Sequence, residues 1–216
     1  MSLQAFHNDH FTLNPPAAAL TISHDGKKAD IHAHPKTDWW RVPPPEPVES
    51  RTGAFFSRTV DATRNFAAGV WVRGTWGVQF DQGCLMLLAS AGSGVEGDWI
   101  KAGVEVETGR EYISAVPAPH STSTLGDSPY AVYIKIVREG PLLSVSQHFS
   151  AAGATETPPA EGDLVKYREV RGFNVDALGN AQAKEGDLWR IGPMVCGPMN
   201  DHGTKAEFSY FSFEYL

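Results

Sequence analysis

Along most of this chain apolar and polar residues alternate with a period of two, the spacing that sends successive side chains to opposite faces of a β-strand. The run from Trp99 to Glu107 shows it: Ile100, Ala102, Val104 and Val106 share one face, and Trp99, Lys101, Gly103, Glu105 and Glu107 share the other. No segment keeps a 3.6-residue apolar period for three turns. Runs rich in aromatic and β-branched residues, bounded by Gly, Pro, Asn and Asp, predict strands at 19–23, 54–60, 68–74, 76–81, 84–90, 98–107, 111–116, 130–138, 141–148, 164–173, 189–196 and 206–215. The chain reads as all-β. About a dozen short strands with tight turns predict two packed antiparallel sheets, a sandwich of jelly-roll type.

The run CLMLLAS at 84–90 is apolar on both faces, which marks a central strand. Its neighbours in sequence, VWVRGTWGVQFDQG before and GDWIKAGVEVETG after, are expected to flank it in an antiparallel meander. Three stretches read as loops. RVPPPEPVES at 41–50 is stiffened toward polyproline II, and its prolines cannot donate to a central ladder. PAPHSTSTLGDSP at 117–129 and SAAGATETPPAEGD at 150–163 are small, polar and longer than usual connections, and serve equally as binding loops or tolerated insertions.

A length of 216 residues fits one large β domain spanning 1–216, since sandwiches often reach this size as single units. Folding at this length buries roughly 70% of the extended-chain surface, so neither disulfide nor metal is needed for stability. The 18 Lys+Arg against 25 Asp+Glu give a net charge of −7 without a basic block. That balance argues against nucleic acid and anionic membrane as partners and toward a small molecule or another protein. No apolar run approaches the roughly 18 residues of a membrane span, and MSLQAFHNDHF lacks the charged and apolar regions of a secretory signal. The expectation is a cytoplasmic protein, in which Cys84 and Cys196 remain buried thiols.

Candidate chemistry is sparse. Glu105 and Glu107 lie two apart on one strand, with Cα atoms about 6.6 Å apart and carboxyl groups about 5–9 Å apart. That range covers retaining and inverting glycosidases, but any E-x-E strand meets it. The three-acid strand pattern of jelly-roll glycosidases is incomplete, since positions 103 and 109 are Gly, and a solvated or ion-paired role for Glu107 fits as well. Lys101 and Glu105, about 13 Å apart, suit two walls of one shallow pocket, with Gly103 clearing the space between; a bulge or an aromatic ring packed over Gly103 is the alternative. Of six tryptophans, Trp39, Trp40, Trp76 and Trp99 are candidates to stack on a flat ligand face, or equally to plug the core. His32 and His34 alternate in a loop-like stretch, but no third ligand is identifiable and no metal site is assigned. No acyl-, phosphoryl- or hydride-transfer fingerprint appears, and no cofactor is implied.

TDWWR (37–41), FDQGCLMLL (80–88), DWIKAGVEVETG (98–109), YREV (167–170) and RIGPMVCGP (190–198) occur in that order. Together they resemble the concanavalin A-like domain family of unknown function that includes the regulation-of-enolase protein, over nearly the whole chain from about residue 18; the W-I-K-A-G-V-E run is the most specific part. The resemblance implies a concanavalin A-like two-sheet sandwich and no established reaction. By position it carries over Asp38, Trp39, Asp81, Gln82, Trp99, Lys101 and Glu105, while Glu107 lies outside the matching core. The chain departs from the family where HSTSTLGDSPY replaces a serine-aspartate-tryptophan-serine run, and where Gly197 replaces the serine of C-S-P.

The resulting expectation is a ligand-binding module that takes a carbohydrate or small metabolite on its concave sheet, with a regulatory role in metabolism. Trp99 and Trp39 supply apolar contact, and Lys101, Glu105 and Asp81 orient polar groups. The rival is an enzyme on the same scaffold, with Glu105 or Asp81 as acid/base and Lys101 stabilising developing negative charge.

Overall fold

The computed structural model of the 216-residue chain describes all residues except 8–9, 43–47, 91–95, 117–129, 152, 155 and 177. Among the described residues it forms strands throughout, with no α-helix and one 3-10 turn at Glu161–Asp163. The strands are β1 (Ser2–Leu3), β2 (Phe11–Leu13), β3 (Ala19–Ile22), β4 (Lys28–His32), β5 (Trp39–Val42) and β6 (Val48–Arg51). Then come β7 (Ala54–Asp61), β8 (Phe66–Gly74), β9 (Gln82–Ser90), β10 (Glu96–Glu107) and β11 (Arg110–Val116). The last are β12 (Ala131–Glu139), β13 (Leu142–Ser150), β14 (Val165–Arg171), β15 (Leu188–Cys196) and β16 (Lys205–Tyr215).

An eight-stranded sheet runs β14-β13-β12-β8-β16-β4-β3, with β1 also paired to β16, and a six-stranded sheet runs β11-β10-β9-β15-β7-β2. The paired strands are antiparallel. The sheets pack face to face as the expected all-β sandwich, and the main core fills the space between them. Period-two alternation decides its membership: Val132, Ile134 and Ile136 of β12 and Ala68, Val70 and Val72 of β8 meet Leu85 and Leu87 of β9 and Ile100, Ala102 and Val104 of β10. Each fully buried Val, Leu or Ile of this layer contributes roughly 1.5–3 kcal/mol relative to exposure.

Each sheet also buries part of its outer face. On the eight-stranded sheet Trp71, Ala131, Tyr133 and Tyr210 form a cluster covered by Ala154, Leu164 and Met1. Residues 156–163 lie over this face: the Trp71 indole donates to the Thr157 carbonyl at 3.3 Å, and Lys135 pairs with Glu161 at 2.5 Å. On the six-stranded sheet Trp39, Phe55, Cys84, Met86, Leu88, Trp99, Met194 and Cys196 form the corresponding cluster. Its cover is the hairpin β5–β6, whose register pairs Trp39 with Arg51 and Val42 with Val48.

Several expectations need correction. Residues 76–81 form a crossover and not a strand: β8 belongs to the eight-stranded sheet and β9 to the six-stranded one, so the chain has to pass between layers here. The meander is therefore half as expected, with β10 flanking β9 on one side and β15, not β8, on the other. The 41–50 stretch is partly strand, since β5 and β6 claim its two ends; its prolines at 43–45 and 47 lie outside the described residues. His32 ends β4 and pairs with Lys205 instead of lying in a loop. The short strands β1, β2, β4, β5 and β6 are not among the expected ones, because at two to five residues each their alternation does not stand out in the sequence. The expected loop 117–129 lies outside the described residues.

Candidate functional site

Ladder register gathers most of the sequence-selected residues on one surface, the outer face of the six-stranded sheet. Trp99, Lys101, Gly103 and Glu105 of β10 stand opposite Leu88, Met86, Cys84 and Gln82 of β9, and Gln82 stands opposite Cys196 of β15. Asp38 and Trp39 arrive on the hairpin above them. Gln82 Nε2 donates to Glu105 Oε1 at 3.3 Å and the Ser114 hydroxyl donates to Glu105 Oε2 at 2.8 Å. Lys101 is only 3% exposed, and its ammonium donates to the Trp39 carbonyl at 2.8 Å. The Trp39 and Trp99 rings meet edge to face at 6.1 Å and are each 1% exposed, so both indoles are core plugs.

Gly103 does not open a gap between Lys101 and Glu105. A Cβ there would be driven into the Gly83 carbonyl oxygen and the Cys84 Cα of the adjacent strand, so the glycine is required by backbone approach within the sheet. Glu107 is exposed, as its place outside the family-like run implied.

Electrostatics on this face follow from burial. Lys135 under the opposite sheet's cover has Glu161 as counter-ion, whereas among the described residues Lys101 has no carboxylate within ion-pair distance. Burial raises the Asp38 carboxyl above its ordinary value, opposed by the Lys101 charge, and the Cys196 thiol reaches Asp38 Oδ1 at 3.9 Å. Burial likewise pushes Cys84 well up and Cys196 up to about 12, so both are protonated at neutral pH. Neither thiol is expected to react with a disulfide reagent in the native protein at pH 8, and both should react on unfolding in urea. Titration of either at native rates comparable to free cysteine would show the hairpin to be open.

Asp81 is the exception in placement. It lies at the end of the crossover, 1% exposed, and its carboxylate faces away from the hairpin layer into a ring of donors. Oδ1 accepts from the Thr204 hydroxyl at 2.5 Å and Asn200 Nδ2 at 3.0 Å, and Oδ2 accepts from the Gly77 and Val78 amides at 3.2 and 3.0 Å. The next segment on, Gly197, can carry no side chain, since a Cβ would meet both Thr204 Oγ1 and Asp81 Oδ1. This one carboxylate ties the 75–81 crossover to the turn that leads into β16.

The start of that crossover, Thr75 and Trp76, and the start of β16, Lys205 to Glu207, line a cleft of about 760 Å³, within the roughly 300–1,000 Å³ usual for small-molecule sites. Trp76, Tyr130 and Glu111 line it together with a cross-strand row, Thr21 of β3, Asp30 of β4, Glu207 of β16 and Arg73 of β8. The Trp76 ring lies against Gly74 and Gly83, and a Cβ on Gly83 would come within 2.7 Å of Trp76 Cη2. Two glycines thus make room for the one tryptophan. Trp76 Nε1 and the Tyr130 hydroxyl are buried and have no hydrogen-bond partner among the described residues. An unmet buried donor costs about 1–3 kcal/mol, so two in the wall of one cleft need a physical account. Sequence reading found Trp76 as a candidate ring. It had no means to find Tyr130, Asp30, Arg73 or Glu207, which sit on strands far apart in sequence.

Comparison with known proteins agrees with this fold. Regulation of enolase protein 1 of Saccharomyces cerevisiae is 25% identical over 207 residues, covering 93% of this chain and 86% of its own length. A solved structure of a functionally unknown protein from Saccharomyces cerevisiae superposes with a TM-score of 0.69 at 21% identity, covering 96% of this chain and 97% of the other. A mutant of the GH43 protein BlXynB from Bacillus licheniformis matches with a TM-score of 0.56 at 12% identity, over 98% of this chain but 39% of its own, which is likeness of fold alone. The model of the DUF1349 family, described as a protein of unknown function, matches residues 13–215, and the chain belongs to that family.

Proposed function

We propose that this protein is a small-molecule-binding β-sandwich with a regulatory role in metabolism, and that its ligand occupies the cleft beside Trp76 and Tyr130. The observation that carries the reading is the pair of buried donors without acceptors among the described residues, Trp76 Nε1 and the Tyr130 hydroxyl, in the wall of an open cleft. Both donors are buried, so a ligand reaches them only with a rearrangement of the cleft wall. The name of the yeast relative, which attaches it to regulation of enolase, supports a regulatory output. The outer-face cluster supports binding less well, because the hairpin already covers Trp39, Trp99 and Lys101. The residues first in line for proton transfer hold bonds that catalysis would have to break: Asp81 has its ring of donors and Glu105 has Gln82 and Ser114.

The test is a thermal-shift screen of sugars, organic acids and phosphorylated intermediates on wild type and Tyr130→Phe. A ligand at about 100 times its Kd adds about 2.7 kcal/mol of stability, on the order of 5–10 °C in Tm for a chain of this size. Without ligand, Tyr130→Phe is expected to match wild type or exceed it by up to about 1 kcal/mol, since it deletes an orphaned donor. With ligand, the shift should shrink. If every compound shifts the two proteins equally, the cleft is not the site.

A further inference from the structure

The outer face of the eight-stranded sheet, on the far side from Trp76 and Tyr130, carries an aromatic floor. Register sets Trp71 of β8, Tyr133 of β12 and His148 of β13 side by side on that face, with Lys135 two residues along β12 from Tyr133. Trp71 meets both neighbouring rings edge to face, Tyr133 at 5.4 Å and His148 at 5.9 Å. Tyr133 is fixed from below. It leans over Gly69, where a Cβ would strike its hydroxyl, and that hydroxyl bonds Ser212 Oγ at 2.8 Å. Groups of the sheet itself therefore hold the floor in place.

The cover over this floor is a strap, ETPPAEGD at residues 156–163, and it is built unlike the cover on the other sheet. Above the six-stranded sheet the hairpin drives its own Trp39 into the layer, 1% exposed. Here the rings belong to the sheet, none of residues 156–163 is buried, and none joins a strand ladder. Polar groups hold the strap: the Thr157 carbonyl accepts from Trp71 Nε1 at 3.3 Å, the Asp163 carbonyl accepts from His148 Nδ1 at 3.1 Å, and Glu161 pairs with Lys135. The Lys135 side chain is 10% exposed and that of Glu161 80%. The charge in need of a counter-ion is thus part of the floor, and the counter-ion arrives on a surface segment.

Such a segment has the form of a bound peptide. Pro158 and Pro159 bias it toward an extended backbone, Ala160 is extended at φ −62 and ψ 150, and it offers the floor a carboxylate and two main-chain carbonyls. We infer that the outer face of the eight-stranded sheet is a recognition site for an extended acidic peptide of a partner protein, and that residues 156–163 occupy it in the free protein as a tethered competitor. Lys135 takes the partner's carboxylate, Trp71 Nε1 and His148 Nδ1 take its main-chain carbonyls, and the Trp71 and Tyr133 rings take a proline or another apolar side chain. A short tether presents the strap at an effective concentration on the order of millimolar. A partner displaces it by reaching further, and the face runs on to Lys28, 47% exposed and in the same cross-strand row as Trp71 through Ser209.

The probe is the strap itself: a fluorescein-labelled peptide ETPPAEGDL, residues 156–164, titrated by anisotropy against the full chain and its Glu161→Lys variant. Glu161 is exposed, so the variant is expected to keep the circular dichroism spectrum of the wild type while Lys135 repels its strap. The peptide should bind the variant saturably and about tenfold or more tightly than it binds wild type, because the competitor is gone. The Glu161→Gln form of the peptide should lose about tenfold of that affinity, the loss of one charge-assisted hydrogen bond. Equal binding to the two proteins overturns the strap as competitor. No binding to the folded variant, or binding indifferent to the peptide's carboxylate, overturns the peptide site. Displacement of the peptide by acetate or citrate at the peptide's own concentration makes the floor a small-anion site and overturns the partner class.

Discussion

Replacing Asp81 by Ala is expected to lower the stability of the protein by about 3–5 kcal/mol, on the order of 10 °C in Tm, and to abolish ligand binding in the cleft with it. The cause is the number of groups that depend on one buried carboxylate. Its removal leaves the Thr204 hydroxyl, the Asn200 amide and the Gly77 and Val78 backbone N–H groups facing a void. Hydrogen bonds to an ionised acceptor are about twice as strong as neutral ones, and water cannot easily replace the lost oxygens at a site 1% exposed. Asp81→Asn should recover only part of the loss, because Asn200 Nδ2 and the Gly77 and Val78 N–H groups can only donate here and the charge that strengthens their bonds is gone; the Thr204 hydroxyl alone can turn to accept from an amide. Urea unfolding of the two variants checks the magnitude. A midpoint within experimental error of wild type for Asp81→Asn would mean that charge and acceptor count do not matter at this position, and the hub would then be only a packing contact.

The second large effect is expected at Trp39. Trp39→Ala should cost about 3–5 kcal/mol, the usual range for truncating a buried tryptophan. The ring packs on Phe55 and Trp99 at 6.1 Å each, and its indole donates to the Gly53 carbonyl at 2.9 Å. Gly53 is glycine for that reason, since a Cβ would lie 2.6 Å from Trp39 Cδ1. Beyond the loss of area, the hairpin β5–β6 loses its main apolar anchor on the six-stranded sheet, leaving the Lys101 bond to the residue 39 carbonyl and the longer Arg41–Asp98 and Arg51–Gly97 contacts, 3.4 Å each, to hold it. The consequence is local opening before global unfolding. Cys84 and Cys196, sealed in the wild type, should become reactive toward a disulfide reagent under native conditions, and tryptophan emission should shift to the red as Trp99 meets water. A variant that keeps both thiols protected and its urea midpoint unchanged would show the outer layer to be held by something other than Trp39.

The two experiments separate the two polar centres that the sequence drew into one. Asp81 and Gln82 are adjacent in the chain and so read as parts of one site. Alternation sends them to opposite sides of β9, Gln82 to Glu105 under the hairpin and Asp81 to Asn200 and Thr204 beside the cleft. The second holds the crossover whose Trp76 lines the cleft. Trp76 shows the converse. In sequence it is one of six similar rings, and nothing local distinguishes it from Trp71 or Trp189, which are core. What sets it apart is its position on a crossover at the end of the sandwich, where one sheet's strand stops and the other's begins.

What the sequence by itself determined is the set of faces. Period two assigned Ile100, Ala102 and Val104 to the core and Trp99, Lys101 and Glu105 to the opposite side, because pleating fixes the direction of each side chain whatever surrounds it. The same pattern yielded the sandwich and most of its long strands. What only the tertiary structure decided is what covers each face. Periodicity reports that a face is apolar or polar, but not whether a hairpin from residues 39–51 will close over it, as happens above Lys101. Nor does it report which strand ends meet. The cleft draws on β3, β4, β8, β11 and β16 and on Tyr130, segments more than a hundred residues apart in the chain at the extremes, and they come together because antiparallel pairing between distant strands stacks their ends at one edge of the sandwich. Local composition carries no record of that pairing, so the outer-face residues were legible from a single strand and the cleft was not.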